Sequence, residues 1–209
     1  MYPGMQGNQR LPETICQTYA LLAISIATYL VGSFVNTFEF YYLSIVATFI
    51  SLFLLIFTDK PIFLFIMAFC MGQVHMPVLT YLNAVNPMIV TEALSLTCLL
   101  FMGLTCFAFT TENYNIFAMY GTLYSLLSTA LWIGLFNIFF FQNSLVEILL
   151  TYISISIFSI YVVVDTQYLM INSGKSPVQH AASLFLDFAN LFVNILNILT
   201  VFRDNKKKR

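Results

Sequence analysis

Residues 145–172 read LVEILLTYISISIFSIYVVVDTQYLMIN, a run whose only charged members are Glu147 and Asp165. As a helix it would cover about 40 Å at 1.5 Å per residue, enough to cross a hydrocarbon core about 30 Å thick. Its flanks fit that reading. Gln142-Asn143-Ser144 breaks the chain ahead of it, and Gly174, the residue type that adopts a left-handed stop most cheaply, follows it. The run therefore predicts a membrane-spanning helix that carries a carboxyl group deep inside.

Six further blocks share this character. The expected spans are 15–35, 40–57, 61–82, 87–110 and 116–138 ahead of the run, and 177–202 behind it. Proline at a first helical position marks three of the starts: Pro61 after Thr58-Asp59-Lys60, Pro87 after Asn86, and Pro177 after Ser176. Pro77 interrupts the third block. The first block is too long for the apolar core of a signal peptide and lacks a small-residue cleavage site, so it reads as a retained span.

Composition agrees. Of 209 residues 60% are hydrophobic, and 8 basic plus 9 acidic residues cannot solvate a globular surface, which usually needs about a quarter of its residues charged. The expected architecture is an all-α membrane protein, a seven-helix transmembrane bundle forming one domain over residues 14–202. A flexible tail, 1–13, precedes it, and a basic tail, 203–209, follows. Cys16, Cys70, Cys98 and Cys106 lie inside apolar blocks without metal-ligand spacing and are expected as buried thiols in helix packing. No nucleophile triad, phosphate loop or nucleic-acid patch is present in the sequence. Neither an enzyme, a cofactor nor a nucleic-acid partner is expected; the lipid bilayer is the expected surrounding.

Sidedness is less settled. With the amino terminus in the cytosol, Arg10, Lys60 and Lys175 all fall inside, as the bias of short loops requires. Seven full crossings would then leave the five basic residues of the tail outside. A last segment that enters and returns would keep all eight inside, yet residues 177–202 span about 39 Å as a helix, long enough to cross. Lys206 and Lys207 also stand four and three from the end, the pattern of a dilysine retrieval signal for the endoplasmic reticulum. That signal favours a cytosolic tail; binding of the basic tail to anionic lipid is the alternative.

Asp165 and Asp187 lie about 12 and 15 Å from the turn between the last two helices, counted at 1.5 Å per residue. Antiparallel helices joined by a short turn bring both to one level near mid-membrane. A carboxylate there costs about 2.5–3.5 kcal/mol on insertion scales, and two neighbouring ones cannot comfortably both ionise. No Lys or Arg occurs within a span to neutralise them. One shared proton is the cheapest state, with the pair titrating as a unit. Such a pair can sense pH, and it can also take a hard cation such as calcium transiently, since that ion prefers oxygen ligands.

A polar stripe surrounds each aspartate. His180, Ser183, Asp187, Asn190, Asn194 and Asn197 recur at spacings of 3, 4, 3, 4 and 3, which places them on one helix face. Glu147, Thr151, Ser154, Tyr161, Asp165 and Tyr168 keep the same phase on the preceding helix, with Phe158 as the apolar member. Two such stripes either line a pore or hold the helices together through hydrogen bonds, and for the asparagines and serines alone adhesion is the simpler reading. Glu92 suits the start of its helix. His75, close to Pro77, is expected to be hydrogen-bonded within the bundle. Glu39, Glu112 and Glu147 lie near the boundaries and are expected to be solvated.

Tyr161-Val162-Val163-Val164-Asp165-Thr166-Gln167 and Leu184-Phe185-Leu186-Asp187-Phe188-Ala189-Asn190-Leu191-Phe192 resemble the two aspartate motifs of the Bax inhibitor family. Ala84-Val85-Asn86-Pro87 and Gly134-Leu135-Phe136-Asn137-Ile138-Phe139 are similar to further stretches of it, so the likeness runs from about residue 60 to 203. The resemblance implies a bundle with the last helix at its centre. It also implies that Asp165 and Asp187 form a pH sensor gating a calcium leak in the endoplasmic reticulum or Golgi, and that the protein suppresses stress-induced cell death. Apoptosis regulators or calcium channels of the same membrane are the partners it implies. Thr80 stands where some relatives carry an acidic residue, and Lys60 is the candidate for a cation that latches the pair.

Overall fold

The computed structural model describes residues 5–35, 38–111, 116–171 and 174–207, and it is helical throughout. Its helices are α1 Met5–Phe34, α2 Tyr41–Thr58, α3 Pro61–Val85, α4 Pro87–Thr110, α5 Ile116–Phe136, α6 Ser144–Met170 and α7 Pro177–Lys207. All seven are long and apolar enough to cross a membrane. The chain is an all-α membrane protein.

The turns follow from local chemistry. Pro61 opens α3, and Lys60 before it is extended, as steric crowding by a following proline requires. Asp59 takes the left-handed conformation and donates its N–H to the Leu55 carbonyl, closing α2. Asn86 is extended between α3 and α4. Gly174 has φ +79°, and the Ser176 hydroxyl accepts the Gln179 N–H at 3.2 Å, capping α7. The same hydroxyl donates to Asp59 at 3.0 Å, joining the α2–α3 and α6–α7 turns.

Two ends differ from expectation. α1 begins at Met5, ahead of the span expected from residue 15. Pro12 lies inside it, beyond the first turn. α7 continues unbroken through Lys207. A segment that enters and returns needs a break, so the re-entrant alternative is corrected to one continuous crossing. Lys208 and Arg209 lie outside the described residues, as do Glu112 and Asn172. Half of α7's membrane window is buried, against 17–39% for the other helices, so α7 is the span most shielded from lipid.

The chain forms two compact units. In the first, α3 packs against both α1 and α2. A Cβ on Gly72 would collide with the Tyr29 carbonyl, and one on Gly32 with the Phe69 carbonyl, so two backbones touch where only glycine fits. Gln73, missed in the sequence, donates its amide at 2.9 Å to the carbonyls of Gly32 and Val35 at the end of α1. Buried Tyr29 bonds His75 Nδ1 at 2.9 Å, which satisfies that histidine, and meets Phe185 edge-on.

In the second unit, Leu123 of α5 packs with Ile157 and Val164 of α6, and Phe101 of α4 meets Phe188 of α7 edge-on. Asn137 locks the α5–α6 turn: its side chain binds the Asn143 backbone at both N–H and carbonyl, after a π turn over Asn137–Phe141. The cysteines correct another expectation. Cys16 and Cys106 are exposed and Cys70 and Cys98 half-buried, so these thiols lie on apolar outer surface, where lipid replaces the packing partner. The glycine contact predicts that Gly72→Val lowers thermal stability in detergent by about 1–3 kcal/mol, as overpacking does. Gly103→Ala, with nothing within 4 Å of the added carbon, should leave the melting temperature unchanged.

Candidate functional site

Asp165 lies on α6 and Asp187 on α7, and both are almost fully buried, at 6% and 5% exposure. Their carboxyl groups come within hydrogen-bonding reach of one another. An ionised carboxylate only accepts, so a bond between two of them requires a proton on one. The Tyr120 hydroxyl of α5 donates to Asp165 Oδ1. Tyr161 stands within electrostatic reach of both aspartates, and Tyr168 meets the Tyr120 ring edge-on at 5.4 Å. Asp187 Oδ2 is buried with no hydrogen-bond partner among the described residues.

Tyr120 was not foreseen. It is one of twelve tyrosines, 45 positions from Asp165, and no periodicity singles it out. The stripes, by contrast, hold partly. Three adjoining cavities of about 400, 510 and 310 Å³ run along the second unit. Glu147, Thr151 and Ser154 of α6 and Asn190, Asn194 and Asn197 of α7 line them. Asn190 stands one turn from Asp187. His180 and Ser183, on the first unit's part of α7, line none of the three; His180 is buried and Ser183 half-buried.

Two of the asparagines donate within their own helix. Asn190 donates to the Leu186 carbonyl at 2.8 Å and Asn194 to the Asn190 carbonyl at 2.7 Å, both within α7. Thr151 likewise donates to the Glu147 carbonyl at 2.9 Å within α6. Each of the two asparagine amides turns one N–H to its own helix and keeps a second N–H and its carbonyl oxygen for its surroundings.

The family model for inhibitors of apoptosis-promoting Bax1 matches residues 11–204. The chain belongs to the Bax inhibitor family. Among relatives of this Bax inhibitor family member, an uncharacterised protein of Campylobacter jejuni is 33% identical over 90% of this chain and 88% of its own. Bax inhibitor 1 of Drosophila melanogaster is 27% identical over 93% of this chain and 85% of its own. A Helicobacter pylori protein is 43% identical over 22% of this chain and 20% of its own.

The remaining predicted residues fall elsewhere. Lys60 is exposed in the α2–α3 turn. Lys206 and Lys207 end α7, and their side chains lie outside the described set. Glu92, expected merely to suit a helix start, forms an ion pair with Arg203 at the end of α7. Arg203 was read as part of the tail, which hid the pair from the sequence. The two side chains are 44% and 30% exposed. A double-mutant cycle of Glu92→Gln and Arg203→Gln should therefore give a coupling below about 1 kcal/mol, shrinking further in high salt.

Proposed function

We propose that this chain is a pH-sensitive leak for cations, calcium above all, across an intracellular membrane, and that by lowering stored calcium it suppresses stress-induced cell death. The observation that carries the reading is the buried pair Asp165–Asp187, within hydrogen-bonding reach of one another on helices whose polar stripes line three adjoining cavities. With one proton between them the carboxyls hold α6 and α7 together at this level. Without it two like charges face each other where the dielectric is low, and their repulsion favours hydration and the approach of an oxygen-seeking cation. The unpartnered Asp187 Oδ2 is the atom open to such an exchange. Family membership supports the link to cell death.

Reconstitution in calcium-loaded liposomes tests this. Wild-type flux should change between acidic and alkaline buffers, whereas Asp165→Asn and Asp187→Asn, each of which leaves one carboxyl with no like charge beside it, should lose or shift that dependence. Identical profiles in all three, or flux in none, would remove the leak. The rival reading, a membrane scaffold that binds death regulators or other channels, requires partner capture that survives both substitutions with no flux in the purified protein. A proton–cation exchanger would instead move protons against calcium, which a pH-sensitive dye in the same vesicles detects.

The proposal places the tail in the cytosol, with Lys206 and Lys207 acting as a retrieval signal for the endoplasmic reticulum. Seven crossings then group Arg203, Lys206, Lys207, Lys208 and Arg209 on the cytosolic side, against Arg10, Lys60 and Lys175 opposite. The larger basic group is thus inside. In eukaryotic cells the double substitution Lys206→Ser, Lys207→Ser should release the chain to later compartments; an unchanged distribution would exclude retrieval. The flux reading is independent of the compartment, and relatives occur in bacteria.

A further inference from the structure

We infer that Tyr120 is a positioning residue for the aspartate pair: its hydroxyl makes the two carboxyls unequal, so that Asp165 is the carboxylate and Asp187 carries the shared proton. This role rests on the proposed function for its purpose, since an unequal pair releases its proton from one side chain only. The inequality itself can be tested without ion flux.

A phenol has one hydrogen to give. That of Tyr120 goes to Asp165 Oδ1, so Asp187 does not receive it. Asp187 Oδ2 is buried with no hydrogen-bond partner among the described residues. A donor on a carboxyl oxygen favours the charged form of that carboxyl. A lone buried oxygen costs least on the neutral member, because an unpaired charge is far more expensive to bury than an unpaired carbonyl. Both members of the pair therefore give the same assignment. Asp187 donates its proton across the contact to Asp165, and its own carbonyl oxygen is the one left over.

The hydroxyl is aimed by the ring that carries it. Tyr120 packs against the cluster of Leu123, Ile157 and Val164. It meets Tyr168 edge-on at 5.4 Å and lies 6.4 Å from the Tyr161 ring. Its direction is thus set by the packing of α5 on α6.

The other groups near the pair do not break its symmetry. The ionisable side chains around it in the second unit are tyrosines, Tyr120 and Tyr124 of α5 with Tyr161 and Tyr168 of α6. Tyr161 is within electrostatic reach of both carboxyls but makes no side-chain hydrogen bond to either among the described residues. From α4, the Phe101 ring meets Phe188. The Glu92–Arg203 ion pair stands about 24 Å further along α7 from Asp187.

Tyr120→Phe removes the hydroxyl and keeps the ring and its packing. Infrared difference spectroscopy in lipid should show one carboxylic-acid carbonyl band in the wild type and two in Tyr120→Phe, as the proton spreads over both carboxyls. Tyr161→Phe should keep the single band. In calcium-loaded liposomes the pH profile of flux should move about one unit to higher pH in Tyr120→Phe, because a carboxylate that loses its donor holds a proton more tightly. Tyr161→Phe should leave the profile in place. A single band in Tyr120→Phe, a flux profile that does not move, or the same changes in Tyr161→Phe would overturn the role of Tyr120 and leave the shared proton standing. Two bands in the wild type would overturn it as well, and no acid band at all would remove the shared proton and this role together. If Tyr120→Phe splits the band but no variant conducts, the role of Tyr120 stands and the leak reading falls.

Discussion

A hydrogen bond between two carboxyl groups inside a membrane constrains everything around it, because it exists only while one proton is shared. Asp165 and Asp187 lie within hydrogen-bonding reach of one another, both nearly closed off from solvent. Each would be expensive alone in hydrocarbon, and no lysine or arginine lies within the apolar core of a span to neutralise them. The surroundings meet the cost with neutral donors. Tyr120 supplies a hydroxyl to Asp165, and Tyr161 and Tyr168 complete an aromatic wall that is apolar in bulk and polar at its tips.

The two units solve different problems. The first is built for close contact: glycines let α1 and α3 touch backbone to backbone, and Gln73 and Tyr29 close the polar atoms left at the crossing. The second leaves room. Asn190, Asn194 and Thr151 each turn a donor to their own helix and line three adjoining cavities beside apolar residues such as Ile148, Leu150 and Phe158. A scaffold needs only the first kind of construction. Cavities along the helices that carry the paired carboxyls are what support the proposed movement of ions through the second.

Most helix ends were legible because their causes are local. Pro61, Asn86-Pro87, Gly174 and Ser176-Pro177 act within a few residues, and the structure places turns at each. Phase was legible too: spacings of three and four put Asn190, Asn194 and Asn197 on one face, and the depth count brought Asp165 level with Asp187. Signals that depend on distant partners were not. Tyr120 looks like any other tyrosine until α5 is placed beside α6. Arg203 looks like tail until α7 continues past it and Glu92 arrives from α4. The cysteines were misjudged because an apolar block in a membrane protein has an outside as apolar as its inside, so hydrophobicity cannot tell packing from lipid contact.

Infrared difference spectroscopy on the purified protein in lipid tests the shared proton most directly. The account predicts one carboxylic-acid carbonyl band at neutral pH, whose frequency moves when either Asp165 or Asp187 is replaced by asparagine. Two ionised carboxylates with no such band, or a band that responds to one replacement and ignores the other, would contradict it.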